Sequence, residues 1–194
     1  HEKDFIARKD KKYIDRMDKT LAELNSILNE MAEESKLLGL GAIGTEIRTA
    51  SNAVSKYKTG FAKVTELILA QGDKDTGLRG NMRKLAHEME ADIKKTGSPE
   101  LMVEYLMLRR HEKDYVLRED DKYVKKAQKV INNMSTVLAG TLSEQALKDK
   151  IHNMSKAYLG SFSDFATNIS AMKTQYPIMR QGAHDIEEAV HKIN

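Results

Sequence analysis

"HEKDYVLREDDKY" occupies residues 111–123 and closely repeats "HEKDFIARKDKKY", which occupies residues 1–13. Eight of the thirteen positions are identical, and Phe5/Tyr115 and Ile6/Val116 are conservative pairs. An internal repeat decides how a chain is divided, because each copy is expected to form the same structural unit.

Apolar residues continue the repeat beyond this charged phrase. They recur at alternating spacings of three and four, which is the pattern of a helix that faces a bundle core. Each apolar residue of the second copy lies 110 positions after a partner in the first, so the repeat spans a whole helix. The first copy has Ile14, Met17, Leu21, Leu24 and Leu28, and the second has Val124, Ala127, Ile131, Met134 and Leu138.

Similar stripes elsewhere predict an all-α protein of six helices, two long and four short. Each long helix carries one copy of the repeat, while "QGDKDTG" (71–77) and Pro177 separate the short ones. The lengths predict two four-helix bundles stacked end to end within one bimodular domain, 1–194. The lower module comprises about 1–13, 78–120 and 178–194, and the upper one about 14–71 and 121–176.

The repeated phrase places charges on the predicted inner face of both long helices. Extending the apolar register backward puts Lys3, Asp10, Lys113 and Asp120 inward, and burying unpaired charges is costly. Two interpretations remain open. One is a polar layer, in which Lys3 pairs with Asp10 and Lys113 with Asp120, with surface pairs such as Arg110/Asp114. The other is an anion site, with four arginines as candidate carboxylate clamps: Arg8, Arg109, Arg110 and Arg118.

Composition and motifs narrow the function classes. The net charge of +3 is spread along the chain rather than gathered into a patch, which argues against nucleic-acid binding, and no cysteine is present. "GLGAIG" (39–44) lacks the strand of a dinucleotide site, and Asp73–Gly77 lacks most calcium ligands, so both are predicted turns. Neither a catalytic set nor a metal or cofactor motif stands out, so we expect a protein that is not an enzyme.

"LRRHEKDYVLREDDKYV" (108–124), with its echo at residue 1, resembles the helical bimodular sensor domain of bacterial chemoreceptors and sensor histidine kinases. The resemblance covers essentially the whole chain. It implies a periplasmic homodimeric domain, set between two membrane helices, that binds small carboxylates such as dicarboxylates or acetate. The first copy lacks the counterpart of Leu108-Arg109-Arg110, so we expect the sequence to be an excised fragment with those membrane helices outside it.

The candidate ligand-binding residues all belong to the two copies of the repeated phrase. They are Arg8, Arg109, Arg110, Arg118, Lys3, Lys113, Tyr13 and Tyr123. Tyr57 and Tyr158 lie on core stripes, and their hydroxyls are expected to meet either a ligand or a backbone group. The alternative function is a non-catalytic helical bundle that binds other proteins.

Overall fold

The computed structural model describes residues 1–193, and these residues fold into helices joined by short turns. The all-α class is confirmed. Seven helices form instead of the six predicted, because each copy of the repeat breaks a long helix and Pro177 lies inside a continuous one. The helices are α1 (Glu2–Arg8), α2 (Lys12–Leu37), α3 (Gly41–Gln71), α4 (Gly77–Thr96), α5 (Pro99–Arg118), α6 (Lys122–Ala139) and α7 (Gln145–Ile193).

Both copies of the repeated phrase end one helix and begin the next. Lys9 and Glu119 take left-handed backbone conformations, with φ of 55° and 49°, and no other non-glycine residue described has positive φ. The next residue in each copy is an aspartate. Asp10 Oδ1 accepts a hydrogen bond from the Lys12 backbone N–H at 3.0 Å, and Asp120 Oδ1 accepts one from Lys122 at 2.9 Å. This local bond competes with helix continuation, which explains the break.

The break also overturns the predicted inner face of both long helices. Lys3 and Lys113 are exposed, and Leu117, which the same backward register also places on the inner face, is 78% exposed. Asp10 and Asp120 pair with Lys12 and Lys122 rather than with Lys3 and Lys113, at 2.8 and 2.7 Å. The predicted polar layer is therefore wrong, because the register of α2 and α6 does not extend backward through the turn. Aromatic residues occupy the core side instead: Phe5, Tyr13, Tyr115 and Tyr123.

The chain divides into two compact units. The first comprises His1–Leu69 with the segment from Ala171 onward, and the second comprises Ala70–Ser170. This division differs from the predicted modules, whose boundary fell just after the first copy of the repeated phrase, at 13/14, and inside the second copy, at 120/121. The helices on both sides of each break stay in one unit because the chain turns back on itself there.

The second unit is a helical bundle of α4, α5, α6 and the first part of α7. Hydrogen bonds fix the helix directions: Tyr105 donates to the Ala86 carbonyl and Tyr115 to the Ala166 carbonyl. With Ser135 beside His152 at 3.2 Å, these contacts make each helix antiparallel to the one before it. The largest fully buried side chains of this unit include Met89, Ile93, Leu101, Leu108, Tyr115, Met134, Ile151, Tyr158 and Phe162.

The first unit contains α1, α2, most of α3 and the last part of α7. Its core includes Phe5, Leu28, Ile47, Val54, Phe61 and Met179. Here α3 and α7 approach closely at two glycines. A Cβ added at Gly60 would lie 3.1 Å from the Met179 Cα, and one at Gly182 would lie 3.1 Å from the Tyr57 Cα. Larger side chains at these positions would force the two helices apart.

The internal repeat extends well beyond the opening phrase. Tyr57 and Phe61 correspond to Tyr158 and Phe162, 101 positions later, and "MRKLAHE" (82–88) corresponds to "MRQGAHD" (179–185), 97 positions later. One copy thus runs from α1 to α4 and the other from α5 to the end of α7. Each unit takes three helical segments from one copy and its fourth from the other.

Replacing Glu119 with glycine tests the break directly. Glycine adopts positive φ without strain, so E119G is expected to stabilise the protein by about 0.5–1 kcal/mol, net of the extra freedom of the unfolded chain. Urea unfolding followed by circular dichroism measures the effect. The control Lys129→Gly, at an exposed position within α6, should destabilise by about 1 kcal/mol. If E119G destabilises as much as the control, residue 119 lies in a continuous helix.

Asp92 provides a second test through its two ion pairs, one within α4 and one that links α4 to α7. This carboxylate is 3% exposed and lies 2.6 Å from Lys95 and 2.7 Å from Lys150, and hydrogen bonds to Lys150 and Lys95 lower its pKa. A lowered folded-state pKa gives stability that is present at neutral pH and lost as pH falls through that pKa. Asp92→Asn should therefore cost about 1 kcal/mol at pH 7 and much less near pH 3. Urea unfolding at both values, with exposed Asp149→Asn as control, measures this. An equal loss at both values would contradict it.

Candidate functional site: a cationic cleft in the second unit

A cleft of about 200 Å³ opens in the second unit among α4, α5 and α7. Four side chains with permanent positive charge and a histidine line it, together with one carboxylate. The apolar part of the lining comes from Met82, Val116 and Phe165. The charged part comes from Lys74, Arg79, Arg83, His87, Arg109 and Glu112.

Arg109, Glu112 and Tyr158 form a hydrogen-bonded group in this cleft. Arg109 and Glu112 are three positions apart on α5 and so lie on one face of the helix. Arg109 Nη1 donates to Glu112 Oε2 and, at 3.0 Å, to the Tyr158 hydroxyl, and that hydroxyl donates to the same Oε2. The side chains of Arg109 and Glu112 are 22% and 15% exposed. The ion pair is thus largely shielded from water.

Burial raises the pKa of the Glu112 carboxyl above its ordinary value, although the positive charges of Arg109, Lys113 and Arg79 oppose the rise. A carboxylate in a low-dielectric environment loses hydration, so its charged form depends on the cations around it. Arg109 is the nearest of these and bonds Glu112 directly. Any change that removes Arg109 from Glu112 favours protonation of the carboxyl.

Of the eight candidate ligand-binding residues, Arg109 lines the cleft and the other seven do not. Arg110 is 70% exposed and forms the expected pair with Asp114, at 3.9 Å. Arg8 donates to the Tyr13 hydroxyl at 2.9 Å, and the Arg118 guanidinium lies 6.0 Å from the centre of the Tyr123 ring. Each of these two arginines therefore contacts the tyrosine that follows the helix break in its own copy of the repeated phrase. Lys3 and Lys113 are exposed.

Sequence reasoning missed the α4 side of the cleft and the role of Glu112. Arg83 and His87 belong to the second shared motif and correspond to Arg180 and His184. The match between "MRKLAHE" (82–88) and "MRQGAHD" (179–185) is present in the sequence, and it is the signal that could have identified Arg83 and His87 as candidate residues. Glu112 lies inside the repeated phrase itself, but the wrong register concealed the face on which it lies.

The pairing of a glutamate with a tyrosine recurs in the first unit. Glu2 corresponds to Glu112, and its Oε2 accepts a hydrogen bond from the Tyr57 hydroxyl at 2.7 Å. Burial raises the pKa of this tyrosine, and the Glu2 hydrogen bond raises it further. Both tyrosines thus find a side-chain carboxylate, rather than the ligand or backbone partner that we expected. The neighbouring aromatic contacts recur too, since Phe5–Phe61 and Tyr115–Phe162 are both edge-to-face.

The "QGDKDTG" motif forms the predicted turn, whereas in "GLGAIG" only residues 39–40 lie in a turn and residues 41–44 begin α3. Gly39 has positive φ between α2 and α3, and Asp73 Oδ1 accepts hydrogen bonds from the backbone N–H groups of Asp75 and Thr76. Among residues 1–193, no group of three or more histidine, aspartate or glutamate side chains is arranged to hold a metal ion.

No protein-family model, no curated protein and no solved structure matches this chain. The cleft is therefore interpreted from its own geometry and from the repeated phrase. In the described part of the chain, no helix combines the length and the apolar content needed to cross a lipid bilayer.

Proposed function

We propose that the chain is the ligand-binding domain of a transmembrane chemoreceptor and that the cleft of the second unit binds a small organic acid. The observation that supports this most directly is the convergence of Arg79, Arg83 and Arg109 on one small cleft from two helices. The proposed ligand has two or more carboxylates, one for Arg109 on α5 and one for the arginines on α4.

The chemistry of the lining favours carboxylates. A guanidinium presents a planar fork of N–H donors that matches a carboxylate with two parallel hydrogen bonds. The cleft is smaller than the roughly 300–1,000 Å³ of sites that take drug-sized ligands, which favours a compact acid. Met82, Val116 and Phe165 supply apolar contacts for its short carbon chain.

The receptor context rests on the resemblance carried by residues 108–124 and its echo at residue 1. In this proposal the domain is periplasmic and homodimeric, membrane helices flank it, and the two units are four-helix bundles stacked end to end. Ligand binding would shift the balance between two packings of the helices by as much as its affinities for them differ. Apolar segments of about 20 residues on both sides, in the full-length gene, would support this context.

One observation favours the alternative of a structural helical module without a small-molecule ligand. Arg109 already has two partners within the chain, Glu112 and Tyr158. Buried networks of this kind can serve to fix how helices pack. Arg83 has partners too, since it pairs with Asp75 at 3.8 Å and donates to His87 Nε2 at 3.3 Å. Both α4 arginines at the cleft, Arg79 and Arg83, are nevertheless exposed.

A thermal-shift screen with succinate, malate, citrate and acetate tests the proposal. A ligand that binds only the folded state, at 100 times its Kd, should raise Tm by about 5–10 °C. We expect a dicarboxylate or tricarboxylate to do so and acetate to have a smaller effect. Arg83→Ala and Arg109→Ala should each weaken binding at least about tenfold, by loss of charged hydrogen bonds.

Two controls come from the same repeated phrase. Arg110→Ala removes an exposed arginine next to Arg109, and Arg118→Ala removes one beside the Tyr123 ring. Neither lines the cleft, so both variants should keep the ligand-induced shift. The absence of a shift with every acid, or its loss in the controls but not in Arg83→Ala, would refute binding at this cleft.

A further inference from the structure

We propose that the Glu112 carboxylate is an intramolecular competitor of the ligand: it holds Arg109 until a carboxylate of the incoming acid takes Arg109 from it. This inference rests on the proposed function, because it concerns the same cleft. It explains why a residue with the opposite charge to the rest of the charged lining takes part in a proposed anion site.

The geometry places Glu112 where a ligand carboxylate would bind. Arg109 Nη1 and the Tyr158 hydroxyl both donate to Glu112 Oε2, so one carboxylate oxygen accepts bonds from two groups suited to an anion. Glu112 and Arg109 both line the cleft. A ligand carboxylate that takes the Nη1 donor of Arg109 must therefore replace this contact.

The first unit indicates how Glu112 can be held once Arg109 has turned to the ligand. There the corresponding carboxylate, Glu2, accepts a hydrogen bond from Tyr57 at 2.7 Å, and Tyr57 occupies the position of Tyr158. The glutamate–tyrosine bond is thus common to both units. Displacement from Arg109 leaves Glu112 bonded to Tyr158 rather than without a partner, which limits its cost.

Displacement also changes the charge that Glu112 prefers. Arg109 opposes the rise of the Glu112 pKa, so its transfer to the ligand removes the nearest stabilising cation and favours uptake of a proton by Glu112. Binding of the fully ionised acid should therefore strengthen as pH falls toward the raised pKa of Glu112. The titratable and charged groups that face Glu112 are Lys74, Arg79, Arg83 and His87 from α4 and its preceding turn, Tyr105, Arg109 and Lys113 from α5, and Tyr158 from α7.

His87 is the group in that set that could imitate this pH dependence. Its imidazole lines the cleft, and histidine is the side-chain type whose charge most often changes between pH 5 and 8. The variant His87→Gln separates the two sources. If Glu112 is responsible, His87→Gln retains the strengthening at low pH.

The decisive experiment compares Glu112→Gln with Asp114→Asn by isothermal titration with the best acid of the screen. Glutamine keeps the shape of the side chain but does not compete as an anion, so E112Q should bind about tenfold tighter at pH 7, with a flatter pH profile. Asp114 lies two positions along α5, where it pairs with Arg110. D114N removes the same charge from the helix and should leave Kd within about twofold.

Each result decides between explanations. Weaker binding by E112Q would show that Glu112 positions Arg109. Equal tightening by E112Q and D114N would show a general effect of net charge. Either result overturns the inference but leaves the proposed function standing. No binding of any acid by the wild-type protein would refute the proposed function itself. If E112Q does not fold, titration of the wild type and H87Q in buffers of different ionisation enthalpy decides. Proton uptake at pH 6, after correction for the protons that the acid itself releases on binding, supports the competitor, and its absence contradicts it.

Discussion

The hydrogen bond from an aspartate side chain to the backbone two residues later determines how this chain is laid out. At Asp10 and again at Asp120, it accompanies a residue with positive φ and ends a helix that the apolar pattern alone would continue. The energy of one such bond is small, about 1 kcal/mol. Its position, however, decides whether residues 99–139 form one long helix or two antiparallel helices. Because α5 folds back onto α6, the aromatic side chains at 115 and 123 can enter the same core.

The sequence was sufficient for the class of the fold and for most helix positions. Regular apolar spacing predicted the helices at α3 and α4 and the end of α6 at Ala139, because buried residues such as Val54, Met89 and Ile131 follow that spacing. It failed at the repeated phrase and at Pro177, where the outcome depends on one or two hydrogen bonds rather than on a stripe of side chains. The left-handed conformation of Glu119 could not be predicted from its residue type, since glycine or asparagine usually occupies left-handed positions at helix ends.

The candidate site could be predicted only in part, for a related reason. Arg109 was identified by its residue type and its place in the repeated phrase, which do not depend on register. Arg79, Arg83 and His87 come from a helix of the other copy, and their approach to Arg109 requires knowledge of which helices share a unit. Glu112 was missed because the helix break at Glu119 was not predicted. The apolar register, extended backward through that break, placed Lys113 on the inner face instead of Glu112. Periodicity identifies faces well within a helix but poorly across a turn.

The repeat also provides a physical reason why the cationic cleft belongs to one unit. Arg79 of the second unit corresponds to Tyr176 of the first, so one arginine is replaced there by an aromatic side chain. Gly60 and Gly182 correspond to Ser161 and Leu85, and only the glycines permit the close approach of α3 and α7. In the second unit Ser161 instead accepts a hydrogen bond from Asn81 at 2.8 Å, and Leu85 packs against the core. Two copies of one helical plan have thus diverged at a few contact positions: one favours tight packing, and the other leaves room for a charged cleft beside the same glutamate–tyrosine bond.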